Sequence, residues 1–176
     1  HNNEGNVLKK LQRHDEALSA YDRALALRPE IAEYHNNRGD ALLVLARLEA
    51  ALAAYETAIR LKPRFAEGHA NLGFVLHQLG RDEASVQAFR HAIDIRPDYF
   101  EAYQGMGHTL RRLERHADAV DAYRHAAELR PAAAVAHKDL GRGLTGEARY
   151  EAALADLRPA AGLKTGDAVA TPVHSG

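Results

Sequence analysis

A 34-residue period runs through this chain and constrains its fold more than any single motif does. A fixed period of this length is the sequence signature of a repeat architecture, in which each unit adds one layer to a continuous core. The chain is therefore predicted to be a row of near-identical units. The residues that recur at this interval are Pro29, Pro63, Pro97 and Pro131, together with Gly5, Gly39, Gly73, Gly107 and Gly141.

Each unit carries two helical patterns separated by a short break. In the second unit, apolar residues recur at three-and-four spacing from Ala32 to about Leu45, and again from about Leu48 to Leu61. Pro63 then ends the pattern, because proline lacks the backbone donor that a continuing helix needs. The other predicted helices are 2–12, 15–27, 66–79, 82–95, 100–113, 116–129, 134–144 and 150–158.

The recurring glycines fall in the middle of the first helix of each unit, where glycine costs about 1 kcal/mol relative to alanine. A cost that recurs in every unit indicates a close approach of the partner helix. Small residues on the second helix would supply the matching surface, and bulky residues would fill the space between. These are Ala17, Ala51, Ser85, Ala119 and Ala153 for the small positions, and Tyr21, Tyr55, Phe89, Tyr123 and Leu157 for the bulky ones.

The order of a large residue, Leu-Gly, a large residue, alanine, an aromatic residue and proline is similar to the tetratricopeptide repeat, or TPR. The resemblance covers about 160 of the 176 residues. It implies an all-α fold, a right-handed superhelix of about five helix-turn-helix repeats with the first helices lining a concave groove. Glu4 and Arg38 depart from the pattern, and we predict that they pair because they lie one repeat apart.

We divide the chain into a repeat array over residues 1–161 and an irregular tail over residues 162–176. Pro159 falls inside the last predicted helix, and Thr165 stands where the repeat proline should be. The chain opens on His1, partway through a repeat, and we interpret it as a piece of a longer protein. The predicted repeats are 1–31, 32–65, 66–99, 100–133 and 134–161.

Composition narrows the function classes. Lys plus Arg is 23 against 24 for Asp plus Glu, so the basic excess that is typical of nucleic-acid binding is missing. No apolar run approaches the roughly 18 residues of a membrane helix, and we find no targeting segment, which favours a cytoplasmic location. The absence of cysteine excludes disulfides and thiolate sites. We expect no cofactor, nucleic acid or membrane among the partners.

By analogy with the family, the groove is lined by residues around each glycine of the first helices. Because this lining is polar and rich in hydrogen-bonding groups, we predict that it binds an extended peptide or a partner protein. The predicted groove residues are Asn3, Asn6, Asn37, Asp40, Asn71, Phe74, His77, His108, Arg111, Arg112, Lys138 and Arg142.

Asn3, Asn37 and Asn71 form a series with a 34-residue step, and an amide can bond a peptide backbone whatever its side chains are. The series resembles the asparagine ladder in the TPR region of O-linked N-acetylglucosamine transferases. The alternative is that asparagine is simply a common polar residue on these helices. A second family pattern, the carboxylate clamp, is rejected because Asn2, Glu67 and Asn71 stand where its cations should be.

One end of the predicted groove is cationic, which predicts a preference for acidic peptides; the alternative is that these side chains form a solvated face. The cations are Arg111, Arg112, Lys138 and Arg142. Histidines at the repeated aromatic position are interpreted as packing residues, because equivalent positions in stacked helices lie too far apart to share a metal.

No catalytic motif is found, so we predict that the chain is not itself an enzyme. Three interpretations stay open: a peptide-binding scaffold, the substrate-recruiting region of a larger glycosyltransferase, and a scaffold that self-assembles through uncapped terminal repeats.

Overall fold

The computed structural model describes residues 1–132, 138–140, 142–143, 145–146 and 148. Residues 1–132 form eight α-helices joined by short turns, and no β-strand occurs in the described part of the chain. The prediction of an all-α solenoid of helical pairs is therefore confirmed. The helices are α1 (Asn2–Lys10), α2 (His14–Leu27), α3 (Ala32–Val44), α4 (Leu48–Leu61), α5 (Ala66–Gln78), α6 (Asp82–Ile95), α7 (Phe100–Arg112) and α8 (His116–Leu129).

The predicted bounds of these eight helices agree with the structure to within two residues at each end. The predicted helix 150–158, the end of the array at residue 161 and the tail 162–176 lie outside the described residues. The predicted helix 134–144 is described only in part, and its described residues from 138 onward are helical.

Each first helix ends in one residue with a left-handed backbone. In the second repeat, the N–H of Ala46 donates to the carbonyl of Leu43, and the N–H of Arg47 donates to that of Leu42. These two bonds close the helix end in the manner of a Schellman motif. Glycine suits this conformation best, so the turns without it carry backbone strain. The residues and their φ angles are Gln12 (59°), Ala46 (56°), Gly80 (73°) and Glu114 (59°).

Every described repeat packs an aromatic ring of its second helix against the glycine of its first. A Cβ atom built on Gly39 would lie 2.6 Å from Cε1 of Tyr55, whose side chain is fully buried. No side chain fits at that distance, so the predicted close approach of the two helices is confirmed. The equivalent pairs are Gly5 with Tyr21, Gly73 with Phe89, and Gly107 with Tyr123.

The predicted pair between Glu4 and Arg38 is wrong. Nε of Arg38 donates to Asp22 at 2.6 Å, and Arg23 donates to Glu4 at 3.0 Å. Both new partners belong to α2, which packs between α1 and α3 and so lies closer to each residue than the other repeat does. Because these side chains are largely exposed, each pair contributes at most about 1 kcal/mol.

Candidate binding groove

The first helices of successive repeats form one continuous layer. α1 contacts α3, α3 contacts α5 and α5 contacts α7, whereas within residues 1–132 no two of the second helices α2, α4, α6 and α8 contact each other. The first helices pack more closely than the second helices do, so the array curves toward the first helices. The surface of the first helices that faces away from the second helices is therefore the concave inner face. All the predicted groove residues belong to this layer or to its described continuation in the fifth repeat.

The predicted groove residues differ in exposure. Half-buried side chains predominate in the first three repeats, and exposed cations gather toward the fifth. The half-buried residues are Asn6, Asn37, Asp40, Asn71, Phe74, His77 and His108, and the exposed ones are Asn3, Arg111, Arg112, Lys138 and Arg142.

Three of these residues are hydrogen-bonded to the buried tyrosine of their own repeat. In the third repeat Phe89 lacks the hydroxyl, and its partner is Phe74, whose ring packs edge-on at 4.9 Å between centroids. Burial, and then the charge of Asp40, raise the pKa of Tyr21 to about 12, so its hydroxyl stays a donor. The three bonds join Tyr21 to Asn6 at 2.8 Å, Tyr55 to Asp40 at 3.0 Å and Tyr123 to His108 at 2.9 Å.

A series of amide hydrogen bonds joins neighbouring first helices. Each bond links residues 35 apart, one more than the repeat period, and so connects different positions of adjacent repeats. Asn71 Nδ2 also donates to Asp40 Oδ1 at 3.1 Å. The bonds run from Asn37 to Asn2 at 3.1 Å, from Asn71 to Asn36 at 3.0 Å and from Gln104 to Asp139 at 2.7 Å.

This series changes the role that we assign to the predicted asparagines. The amide nitrogens of Asn37 and Asn71 are occupied by the chain itself, so these side chains help to stack the repeats. Their Oδ1 atoms accept no hydrogen bond from the described residues. Asn3, the first member of the predicted series, is exposed and makes no such bond to the next repeat.

Some cations of the inner layer are paired within the chain. Nζ of Lys9 donates to Asp40 at 2.8 Å. Nε of Arg112 donates to Asp82 at 2.7 Å, and its terminal nitrogen donates to Asp82 and to the carbonyl of His77. The hydrogen bond from Arg112 holds the pKa of Asp82 below its ordinary value. The predicted cations that have no carboxylate partner among the described residues are Arg111, Lys138 and Arg142.

A hydroxyl, an imidazole and a carboxylate meet between α5 and α7, but not with the geometry of a nucleophile and its base. Oγ1 of Thr109 lies 3.1 Å from Nδ1 of His77, and Oδ1 of Asp82 lies 3.4 Å from the same nitrogen. In a catalytic triad, the histidine uses one ring nitrogen for the nucleophile and the other ring nitrogen for the carboxylate. Thr109 is fully buried and donates to the carbonyl of Gly105 at 2.9 Å. The cluster therefore serves packing.

The histidines at the repeated aromatic position contact the turn before their helix. Nε2 of His35 lies 2.8 Å from the carbonyl oxygen of Pro29, and Nε2 of His69 lies 2.9 Å from that of Pro63. Each ring is thereby a hydrogen-bond donor to a backbone acceptor as well as a packing residue. Within the part of the chain that the structure describes, no group of three or more His, Cys, Asp or Glu residues could hold a metal ion.

The outer face offers an alternative surface for a partner. A cleft of about 600 Å³ opens between α4 and α6, and Leu72 and Leu76 of α5 form its floor. His69 and His91 stand at its wall, with 5.4 Å between their ring centroids. The cleft exists because α4 and α6 do not contact each other.

Family comparisons agree with the repeat architecture. Family models described as tetratricopeptide repeat match residues 2–63 and 65–132, and a model described as TPR repeat matches residues 47–80. No curated protein matches the chain significantly. In the described part of the chain, no helix combines the length and the apolar character that crossing a membrane requires.

Solved structures share the architecture at low sequence identity. A crystal structure of MamA aligns with a TM-score of 0.75 and 22% identity, covering 82% of this chain and 84% of MamA. YrrB, described as a TPR protein with an unusual peptide-binding site, aligns with a TM-score of 0.69 and 23% identity, covering 83% and 75%. The first TPR of Spaghetti (RPAP3), bound to the HSP90 peptide SRMEEVD, aligns with a TM-score of 0.65 and 18% identity, covering 66% and 93%.

At these identities the structural likeness shows the fold alone. The family models together span residues 2–132, which are the residues that form the four complete helical pairs. The chain therefore belongs to the tetratricopeptide repeat family.

Proposed function

We propose that the chain is a non-catalytic protein–protein interaction scaffold that binds an extended peptide, or an extended segment of a partner protein, in its concave groove. The observation that carries this proposal is the continuous inner layer of α1, α3, α5 and α7 with half-buried polar side chains along it. YrrB and the first TPR of RPAP3, which share the fold, are described with a peptide-binding site and with a bound peptide.

The dimensions of the inner layer suit a short extended segment. Packed helices lie about 8–10 Å apart, so the three steps from α1 to α7 span about 24–30 Å. An extended chain advances about 3.3 Å per residue. A peptide of about 7–9 residues therefore reaches from the first repeat to the fourth.

Asn37 and Asn71 would supply two acceptors for backbone N–H groups of such a peptide. Because their amide nitrogens already donate within the chain, the oxygens are held in place before a peptide arrives, which lowers the entropy cost of binding. Two such bonds contribute about 1–3 kcal/mol net. A micromolar complex needs about 8 kcal/mol, so contacts to Phe74, to His77 and to the cations must supply the remainder.

The other two interpretations make separate predictions. A glycosyltransferase-recruiting region stays a prediction from Asn3, Asn37 and Asn71, and a nucleotide-sugar domain in the full-length gene would support it. Self-assembly would use exposed apolar residues at the first repeat, where Val7 is 57% and Leu11 is 60% exposed. Light scattering at increasing protein concentration would detect it.

Selection from a phage-displayed library of random peptides of about 12 residues, longer than the groove, tests the proposal. Val44, at the end of α3 and 58% exposed, is changed to glutamate to place a charge on the inner layer. Ala50, exposed on α4, is changed to glutamate as the matched outer-face control.

We expect the selected peptides to lose about tenfold in affinity for Val44→Glu, a change of about 1.4 kcal/mol, and to bind Ala50→Glu as tightly as the unaltered protein. The reverse pattern would place the partner on the outer face. Failure of the library to yield any binder would contradict peptide recognition itself.

A further inference from the structure

A second cleft, of about 470 Å³, opens where the end of α7 meets the described residues of the fifth repeat. Arg111 and Arg112 enter it from α7, Glu114 and His116 from the turn and the start of α8, and Arg142 from the fifth repeat. Among the described lining residues, three guanidinium groups thus share one concavity with one carboxylate. We call this cleft the cationic pocket.

The three arginines are not equivalent. Arg112 is bonded to both oxygens of Asp82 and to the carbonyl of His77, so its charge is balanced and its side chain forms a fixed wall. Arg111 and Arg142 are exposed, and neither has a carboxylate partner among the described residues. Two guanidinium groups without a described carboxylate partner therefore line the cavity.

The described carboxylates nearby form no ion pair with these two arginines. Asp139 is 4% exposed and is turned inward, since it accepts from Gln104 at 2.7 Å and lies 3.4 Å from Nε2 of His108. Glu114 lines the pocket but forms no ion pair with a described residue. Among the described lining residues, one exposed carboxylate therefore stands against two guanidinium groups that have no described carboxylate partner.

The electrostatic effect of the two arginines reaches the neighbouring histidine. Burial lowers the pKa of His108, and the positive charges of Arg111 and Arg142 lower it further, against the opposing charge of Asp139. The imidazole is therefore neutral near pH 7, and the positive charge of the region is carried by the arginines.

We propose that the cationic pocket anchors two neighbouring acidic side chains of a bound peptide, with Arg111 and Arg142 each donating to one carboxylate. This inference rests on the proposed function and adds the chemical class of the partner, an Asp- or Glu-rich segment. The planar fork of a guanidinium matches the two oxygens of a carboxylate, which gives the contact geometric selectivity as well as charge. A volume of about 470 Å³ lies in the range of clefts that accept small ligands.

The cationic pocket is separate from the clamp positions of the family. Those positions fall in the first three repeats, where this chain has Asn2, Glu67 and Asn71 in place of cations. The pocket instead uses the last turn of α7 and the fifth repeat. An acidic pair held there lies at the end of the inner layer, so the adjoining residues of the same peptide can continue along α7 and α5.

Fluorescence anisotropy tests the proposal with a labelled Gly-Ser peptide that carries a central Glu-Asp-Glu-Asp block. A peptide with Gln-Asn-Gln-Asn at the same place is the uncharged comparison. The protein variant is Arg111→Gln with Arg142→Gln, and the control is Arg60→Gln with Arg124→Gln. The control removes the same charge from exposed positions of the outer helices α4 and α8. Circular dichroism verifies that both double variants are folded.

We expect the acidic peptide to bind about tenfold more tightly than the amide peptide, and the pocket variant to lose that difference while the control keeps it. Binding should weaken as salt rises, since screening shortens the Debye length from about 10 Å at 0.1 M to about 3 Å at 1 M. Undetectable binding of the acidic peptide, equal binding of both peptides, or equal losses in both double variants would overturn the proposal. So would tighter binding of a single-stranded DNA of the same length.

Library-selected peptides separate this inference from the proposed function. If they bind the pocket variant as tightly as the unaltered protein but lose affinity for Val44→Glu, the acidic anchor is wrong and the groove function stands.

Discussion

Replacing Gly39 by alanine tests whether packing requires the recurring glycines. The new Cβ atom would lie 2.6 Å from Cε1 of Tyr55 and 2.9 Å from both Cδ1 and Cζ. The ring is fully buried, and its hydroxyl donates to Asp40 at 3.0 Å. Because the ring is enclosed and tethered, it cannot turn aside, and α3 must move away from α4 instead.

The expected loss follows from two opposing effects. Overpacking a core costs about 1–3 kcal/mol, and the contact with three ring atoms within 3 Å points to the upper end. Alanine recovers about 1 kcal/mol through its higher helix propensity. The net loss in the free energy of unfolding is therefore about 2 kcal/mol, or about 4–8 °C in Tm for a chain of this size. Urea unfolding followed by far-UV circular dichroism measures it.

Gly68→Ala is the matched control, because Gly68 also lies inside a first helix. Its Cβ atom would be 3.0 Å from Cδ1 of Phe65 and 3.3 Å from the side chain of Ile59, which is a milder contact. We expect its stability to stay within about 1 kcal/mol of the unaltered protein. A Gly39→Ala variant that is as stable as the unaltered protein, or more stable, would refute the packing argument.

Further predictions concern hydrogen bonds, titration and backbone strain. Tyr123→Phe removes the bond to His108 and should lower the free energy of unfolding by about 1 kcal/mol in urea denaturation, whereas an unchanged value would argue that the bond is not formed. Burial lowers the pKa of His108 in the folded chain, so the unfolded chain binds more protons below about pH 6.5. The corresponding stability is present above that pH and is lost as the pH falls through the folded-state pKa. NMR titration of His108 should give a midpoint below 6.5, and a midpoint at or above it contradicts the assignment. Ala46→Gly should raise the free energy of unfolding by about 0.5–1 kcal/mol, because Ala46 has a φ of 56°, and a loss would show that the turn is unstrained. Asn71→Ala should lower Tm more than Asn3→Ala does, since only Asn71 donates to the preceding repeat, and equal effects would count against the amide series.

The fold could be predicted from the sequence because its determinants recur at one interval. Gly39 and Tyr55 recur together, so the close approach of two helices is visible in the pattern before any coordinate is known. Pro63 marks the end of a repeat for a local reason, the missing backbone donor. Features of this kind depend on residues within one unit.

The groove was harder to predict because its contacts join different positions of neighbouring units. Asn37 bonds to Asn2 at an offset of 35 residues, which a search for the 34-residue period does not reveal. Arg112 was predicted to face a ligand, yet Asp82 at the start of α6 occupies it.

One missed signal was present in the sequence. In the first four repeats, residues 15 apart change together: polar residues pair with tyrosine, and Phe74 pairs with Phe89. This covariation among repeats of a single chain predicts which groove side chains contact the buried aromatic residue of their own repeat. It requires no related sequences.

The measurement that tests the central claim most directly is an NMR titration of the isotopically labelled protein with a library-selected peptide. The account predicts that the perturbed backbone amides lie on the inner layer of α1, α3, α5 and α7. Perturbations confined to α4 and α6, around the outer cleft floored by Leu72 and Leu76, would contradict it.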